Sequence, residues 1–220
     1  MILGSSLYCS FSGELPEHGA PLRIIAPGDG EGCSVGSAAT MYHFQVELSD
    51  IDRNVYETLD FRVARHASED EERLIVRVLA RLLAHEEGME FGRGLSNVED
   101  AALWTHAPTG EVDPWIDVGL PKAERLHRAS KLANKLIVFT HKPKAALRKE
   151  WSTRRIHRDE AIEVHRLPPE FIGELAQLLH RKMSLFLTIH DGVLNATVGD
   201  QSLECVVELV TLSDLVSNPG

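Results

Sequence analysis

The sequence predicts an α+β protein in which a mixed β-sheet is flanked by helices. Residues 41–48 and 59–63 carry apolar side chains at every second position, as strands with one buried face do. Residues 68–87 instead repeat apolar side chains at helical spacing. The later strand-like and helix-like segments do not alternate strictly, which favours an α+β arrangement over a doubly wound parallel fold.

The 220-residue chain divides by composition into two parts. Residues 1–40 are rich in Gly, Ser and Pro and show no sustained period, so we expect a loosely ordered amino-terminal extension and treat Met41 as an alternative candidate for the natural start. Residues 41–220 are expected to form one domain. Hydrophobic residues make up 43% of the sequence, which is enough to bury a core.

The amino-terminal half of this domain predicts two strands and one long helix. Residues 49–54 are expected to join the strands as a hairpin. Ser68 followed by Glu71 has the pattern of a capping box, which predicts the start of the helix. Glu72 falls with Ile75 and Leu79 at the edge of the apolar face, so its half-buried carboxylate needs a partner.

The remaining elements follow from shorter signals. Pro114 cannot donate a backbone hydrogen bond, which predicts a sheet edge or a bulge there. Asp191-Gly192 and Gly199-Asp200 predict tight hairpin turns. The expected elements are a hairpin over residues 98–104 and 111–119, helices over 121–134, 142–151 and 168–182, strands over 135–140 and 161–167, and a closing set of strands from residue 184.

Several protein classes are disfavoured by the composition. No apolar run is long enough to span a membrane, and the amino terminus lacks the pattern of a secretory signal. Cys9, Cys33 and Cys205 have no metal-ligand spacing, and Cys205 is expected to be a small core residue. We therefore expect a soluble, cytoplasmic protein with no membrane partner.

The charge distribution is uneven. The formal net charge is -10, which argues against a general nucleic-acid coat. Residues 121–158, however, contain twelve Lys and Arg and only two acidic residues, a local charge of +10, which leaves -20 for the rest of the chain. This asymmetry indicates either an anionic partner or a charged, solvated face.

The stretch from Asp117 into the following helix carries the candidate chemistry. Asp117 ends an apolar strand, shares one strand face with Trp115, and precedes a Gly-Leu-Pro turn and a basic helix. One interpretation is a plain ion pair. The other is half of a site for Mg²⁺ and phosphate, because Mg²⁺ binds one or two carboxylates together with water and substrate oxygens.

Three separated segments resemble one known family. Residues 64–80, 79–104 and 109–131, together with the ending at 183–204, are similar in order to the YaeQ family of bacterial proteins. The resemblance covers about residues 41–210 and implies a variant of the PD-(D/E)XK nuclease fold, a mixed sheet flanked by helices that gathers acids around Mg²⁺.

Transferred to this sequence, the resemblance implies a specific set of site residues. Ala102 stands where that fold has a metal-binding Asp, and Gly119 stands where it has a lysine. Asp100 would then assist through water, and Lys131 would replace the lysine better than an Arg could. The implied metal ligands are Glu72, Asp100 and Asp117; the implied catalytic residues are Glu72, Asp117 and Lys131; the expected nucleic-acid contacts are Arg125, Arg128, Lys131 and Lys135.

Three functional hypotheses follow. The first is a Mg²⁺-dependent nuclease that hydrolyses DNA or RNA phosphodiesters. The second is a catalytically silent nucleic-acid-binding or regulatory module on the same scaffold. The third is an adaptor for a protein partner, for which the acidic balance outside residues 121–158 is the only indication. In each case we expect a monomer.

Overall fold

The computed structural model describes residues 39–92, 100–106 and 112–217. These residues form eleven strands and five α-helices. The strands are β1 (Thr40–Asp50), β2 (Val55–Arg65), β3 (Glu90–Phe91), β4 (Leu103–His106), β5 (Val112–Val118), β6 (Leu136–Thr140), β7 (Glu163–Arg166), β8 (Lys182–His190), β9 (Val193–Val198), β10 (Gln201–Val206) and β11 (Glu208–Thr211). The helices are α1 (Glu71–Leu83), α2 (Ala123–Leu132), α3 (Lys144–Trp151), α4 (Pro169–Gln177) and α5 (Leu212–Ser217), with a 3-10 turn at Asp159–Ala161.

The strands form two mixed sheets rather than the single sheet that the resemblance implied. Sheet A has the order β10-β9-β8-β1-β2, and only its β1–β8 pair is parallel. Sheet B has the order β11-β7-β6-β5-β4-β3, with β5, β6 and β7 parallel and the outer pairs antiparallel. The α+β prediction is therefore confirmed, while the nuclease-like assignment stays an expectation.

Two apolar cores separate the layers. Core 1 joins the inner face of sheet A to α1, α4 and one face of sheet B, and it includes Phe44, Leu79 and Ile116. Core 2 joins the other face of sheet B to α2, α3 and α5, and it includes Trp115 and Leu126. Sheet A thus has one covered face, whereas helices or the other sheet cover both faces of β5 and β6.

The period-two predictions for sheet A are confirmed. All four predicted core positions of β1 are buried, and Val63 of β2 is buried beside the partly buried Leu59 and Phe61. The turns at Asp191-Gly192 and after Val198 lie where they were expected, with positive φ at Asp191, Gly192 and Gly199. The buried, apolar role expected for Cys205 is also confirmed, and burial raises the pKa of its thiol to about 12.

Some local predictions were wrong. The cap of α1 is Asp70, which accepts from the Arg73 backbone N–H, while the Ser68 hydroxyl is bonded to His66 instead. Pro114 lies on a central strand, although the register of β4 and β5 shifts beside it as the bulge prediction required. The last predicted strand, which ran to Val210, is divided at Val207 into β10 and β11, and helix α5 was not predicted. The expected extension, apart from Ala39 and Thr40, lies outside the described residues, as do parts of the 98–119 hairpin.

No helix within the described ranges is both long and apolar enough to cross a membrane.

Candidate functional site

Strand β5 buries Asp117 because of where it lies in sheet B. Ile116 and Val118 project into core 1, and Trp115 projects into core 2. Side chains alternate along a strand, so Asp117 shares the core 2 face with Trp115, as its parity predicted. Only 2% of Asp117 is exposed. A carboxylate enclosed this far needs a charged or hydrogen-bonding partner.

Arg125 of α2 supplies that partner. Its Nε donates to Oδ2 of Asp117 at 2.8 Å and its Nη2 donates to Oδ1 at 2.6 Å, a two-pronged contact that matches the guanidinium to the carboxylate. The same Nη2 also donates to the Asp100 carbonyl at 2.6 Å. The guanidinium lies over the Trp115 ring, 5.7 Å from its centroid. Both oxygens of Asp117 are therefore engaged by one fixed cation.

Helix α2 is held in the position that this contact needs. Its N-cap residue, Lys122, makes no capping hydrogen bond, and Glu150 of α3 accepts from the Ala123 N–H instead. The Trp151 indole donates to the Pro121 carbonyl at 2.9 Å. These contacts fix the first turn of α2 against α3, so that Arg125 faces the end of β5.

A second arginine reaches the end of β5 from the opposite face. Nη1 of Arg73, in α1, donates to the Val118 carbonyl at 2.5 Å. Gly119 follows with φ +88, and a Cβ placed there would lie 2.5 Å from the same Nη1 atom. Burial lowers the pKa of Arg73, while Glu69 and then Asp117 oppose that shift. The guanidinium of Arg73 thus occupies the space that a side chain at position 119 would need.

The buried charges continue into α1. Glu69, whose carboxylate is almost wholly enclosed, accepts from Arg77 Nη2 at 2.9 Å, and its other oxygen lies 3.8 Å from Arg73 Nε. Burial raises the pKa of Glu69, and the attraction of Arg77 and Arg73 only partly offsets it. Two carboxylates and three guanidinium groups therefore line the path from the start of α1 to Asp117.

Glu72 is paired elsewhere, so the prediction that it needs a partner is confirmed. Its Oε2 lies 3.1 Å from Nε2 of His141, which directly follows β6. The His141 side chain is 3% exposed and that of Glu72 is 47% exposed. Burial lowers the pKa of His141, with Lys142 adding to the effect and Glu72 opposing it. This pair belongs to the same end of sheet B as Asp117, but its carboxylate comes from α1, which packs on the core 1 face.

Known proteins share both the sequence pattern and the architecture of this chain. The model of the YaeQ protein family matches residues 36–207. The chain belongs to the YaeQ family. Uncharacterized protein YaeQ of Escherichia coli K12 is 30% identical over 167 residues, covering 76% of this chain and 92% of that protein. The corresponding protein of Salmonella typhi is 32% identical over 171 residues, with the same coverage.

Two solved YaeQ structures have the same fold. The crystal structures of YaeQ from Pseudomonas syringae and from Xanthomonas axonopodis pv. citri each align with a TM-score of 0.71 at 30% identity. They cover 79% of this chain, and 96% and 98% of their own chains. The names of these relatives state no activity, so the family membership itself assigns none.

The structure does not gather the predicted ligand set of this YaeQ-family chain. Among the described residues, one group of three side chains brings metal-ligating atoms within 4.8 Å of one another, and it consists of Asp52, His190 and Asp191. Arg125 joins Asp117 to the backbone carbonyl of Asp100, whereas Oδ2 of Asp100 is buried without a hydrogen bond. As arranged here, these residues do not fit a Mg²⁺ ion, because a guanidinium already holds both oxygens of Asp117. Mg²⁺ binding stays a prediction that requires Arg125 to move.

The predicted basic residues separate into two groups. Arg125 and Lys135 are engaged with acids, since Lys135 Nζ lies 3.4 Å from Glu163. Arg128 and Lys131 are exposed on the outer side of α2. Lys131 lies six residues beyond Arg125, about 9 Å farther along the helix axis, so Arg125 rather than Lys131 faces Asp117.

Sequence reasoning missed Arg73, Arg77 and His141. One feature of the sequence could have indicated that Arg73 lies near the site. It follows Glu72 directly, in the first turn of a helix whose start was already predicted. Its contact with β5 spans 45 residues of sequence, and no local pattern encodes such a distance.

Proposed function

We propose that this YaeQ-family chain is a catalytically silent nucleic-acid-binding module. In this proposal Asp117 is a structural partner of Arg125, and the basic side of α2 and α3 contacts phosphates. The proposal takes the acting species to be a monomer. No membrane partner is invoked. The fold is treated as a nuclease-like scaffold whose acidic site is closed.

The contact between Arg125 and Asp117 carries the proposal. Removing one partner of a buried ion pair costs about 3–5 kcal/mol, since the remaining charge is left uncompensated. A Mg²⁺ ion would need the same carboxylate oxygens at about 2.0–2.1 Å and would be repelled by the guanidinium. Opening the site therefore requires Arg125 to exchange an enclosed carboxylate for another anion.

The basic surface supports a polyanionic partner. Residues 121–158 all lie within the described part of the chain, and their two helices, α2 and α3, cover sheet B on the core 2 side. Exposed cations there include Lys122, Arg128, Lys131, Lys149, Arg154 and Arg155. With a net charge of -10 for the whole chain, phosphate contacts are favoured on this side and disfavoured elsewhere.

Binding and cleavage should be measured together. Fluorescence anisotropy would measure binding of a labelled single strand and a labelled duplex over a series of salt concentrations. The logarithm of the association constant should fall linearly with the logarithm of the salt concentration. The affinity should be unchanged by EDTA, and no product should form with Mg²⁺ or Mn²⁺. Lys131→Ala should weaken binding and reduce the salt slope by about one.

A matched control is available on the other sheet. Lys182→Ala removes an exposed lysine of β8 in sheet A and should leave the affinity unchanged. Absence of binding even at low salt would eliminate the proposal. Metal-dependent cleavage that is lost in Asp117→Asn would instead support the Mg²⁺-dependent nuclease, with Glu72, Asp117 and Lys131 in the roles that the resemblance implies.

A further inference from the structure

We propose that a cleft between α2 and residues 155–160 binds the phosphoryl group of a nucleotide unit. The inference rests on the proposed function and locates its phosphate site. The cleft is lined by His127 of α2 and by the segment that leads from α3 into the 3-10 turn, and its volume is about 430 Å³. Small-molecule sites have volumes of roughly 300–1,000 Å³, so the cleft is sized for one nucleotide rather than for a duplex.

Positive charge converges on His127. Burial lowers the pKa of His127, and Lys131, Arg154 and His157 lower it further. The positive charges of those three side chains are therefore felt at the imidazole, although Lys131 comes from α2 and the other two come from the segment after α3. His127 Nδ1 is closed off from solvent and makes no hydrogen bond. An anion in the cleft would meet the side chains of Arg155 and His157 that line it, and the positive charge around the imidazole would favour it there.

The wall of the cleft is fixed to α2. Arg158 has a left-handed backbone, with φ 50, which carries its side chain back towards the helix. Its Nη2 donates to the carbonyls of Ser130 at 3.0 Å, Ala133 at 2.8 Å and Asn134 at 3.4 Å. These carbonyls form the negative end of α2, and the guanidinium neutralises it. The carboxyl end of α2 can consequently lie beside a phosphate without repelling it.

A buried residue anchors the same segment. Ile156 is 3% exposed and packs in core 2, while its neighbours in sequence, Arg155 and His157, are exposed and line the cleft. The backbone is thereby held to the core while the charged side chains on either side remain in solvent. A site built in this way is formed before its ligand arrives.

Two acids narrow the range of anions that the cleft can accept. Asp159 and Glu160 also line it, next to Arg158. The cleft is therefore not a uniformly positive surface, and general attraction of a polyanion is weakened there. A phosphoryl group is favoured because it can approach Arg155 and His127 directly at short range, where charge-assisted hydrogen bonds are strong.

Calorimetric titration of the full chain tests the inference with three probes. The probes are adenosine monophosphate, adenosine, and a single-stranded DNA oligonucleotide. We expect adenosine monophosphate to bind and adenosine not to bind. Arg155→Ala and His127→Gln should each weaken binding of adenosine monophosphate about tenfold, as expected for loss of a hydrogen bond to a charged group. Glu160→Gln should tighten it a few-fold, since it removes an opposing charge.

Lys182→Ala is again the matched control, because it removes an exposed cation of β8 that neither lines the cleft nor belongs to the basic side of α2 and α3. Arg155 is exposed, so its truncation should leave the fold intact, which circular dichroism will check. Unchanged binding of adenosine monophosphate in both Arg155→Ala and His127→Gln would overturn the cleft proposal. If those variants also bind the oligonucleotide normally, the proposed function survives while the cleft fails. If the unmodified chain binds adenosine monophosphate but not the oligonucleotide, and the variants lose binding of adenosine monophosphate, the cleft is a site for free nucleotides. That outcome overturns the proposed function.

Discussion

Along β1 and β8 of sheet A, buried and solvent-facing side chains alternate, whereas every side chain from Pro114 to Val118 of β5 in sheet B is buried. Sheet A can therefore place polar groups in water at little cost. Sheet B is covered on both faces, so a charge on β5 must be matched by another charge. An acid on the covered strand β5 is therefore bound to its neighbours far more tightly than an acid on the open face of sheet A.

The largest expected effect is at the ion pair of sheet B. Arg125→Met leaves Asp117 enclosed without a partner and should lower the free energy of unfolding by about 3–5 kcal/mol. The comparison is Asp60→Asn, which removes the charge from the exposed contact between Asp60 and His43 in sheet A and should lower the free energy of unfolding far less. Urea denaturation of both variants measures the contrast.

A double variant sharpens that result. Replacing both partners, as Asp117→Leu with Arg125→Met, should recover much of the lost stability, because apolar side chains of similar volume often substitute for a buried ion pair. Equal losses in Arg125→Met and Asp60→Asn would contradict the view that acids are held differently on covered β5 and on the open face of sheet A.

An intermediate effect is expected at position 102. Ala102 packs beside core 1 and pairs its backbone with Ile116 and Gly92, so Ala102→Asp should cost about 1–3 kcal/mol by enclosing a polar group. Ala64→Asp, on the exposed side of β2, is the control and should be nearly neutral. Thermal unfolding measures both.

The same variant tests the closed metal site. While Arg125 still holds Asp117, Ala102→Asp should not create Mg²⁺ binding in a calorimetric titration. Saturable Mg²⁺ binding by this single variant would show that the arginine is easily displaced, and the Mg²⁺-dependent nuclease would regain support.

The smallest expected effect is a dependence of stability on pH. The pKa values of His141 and His165, both of sheet B, are lowered chiefly by burial. The unfolded chain therefore takes up protons near pH 6.5 that the folded chain does not, and the free energy of unfolding should fall as pH drops from about 7 to about 5. His141→Gln should reduce this slope but leave the part that His165 contributes.

His180→Gln, an exposed histidine between α4 and β8, is the control for the pH series. Its slope should match that of the unmodified chain. If His141→Gln also keeps the full slope, the imidazole of His141 is not held neutral by its surroundings.

The sequence predicted sheet A, which has a solvent-facing side, better than it predicted the strands of sheet B that are covered on both faces. In β1 the alternation of Tyr42, Phe44 and Val46 with polar residues reports directly which face meets solvent. In β6 all five residues are buried, so the pattern predicts a strand but not its orientation. The parity of β5 was informative because Asp117 is a charged residue among apolar ones.

The partners of the site residues were harder to predict. Arg125, Arg128 and Lys131 are all basic residues of one helix, and only the connection through Gly119 to Pro121 decides which of them returns to Asp117. The cap of α1 was missed because Ser68 and Asp70 are both good capping residues. Contacts such as Arg73 with Val118 depend on how α1 packs across sheet B, and that packing has no local signature.

The close approach of Gly119 to Arg73 also limits how this site could change in evolution. A lysine at 119, which the nuclease-like resemblance expects, would collide with the Arg73 guanidinium and adopt a backbone that favours glycine. Shortening Arg73 first would remove the cation that lies between Glu69 and the end of β5. Because a side chain at position 119 is strained whatever space is made for it, a lineage that acquires the lysine would need a changed turn after β5 as well as a new position for the Arg73 guanidinium.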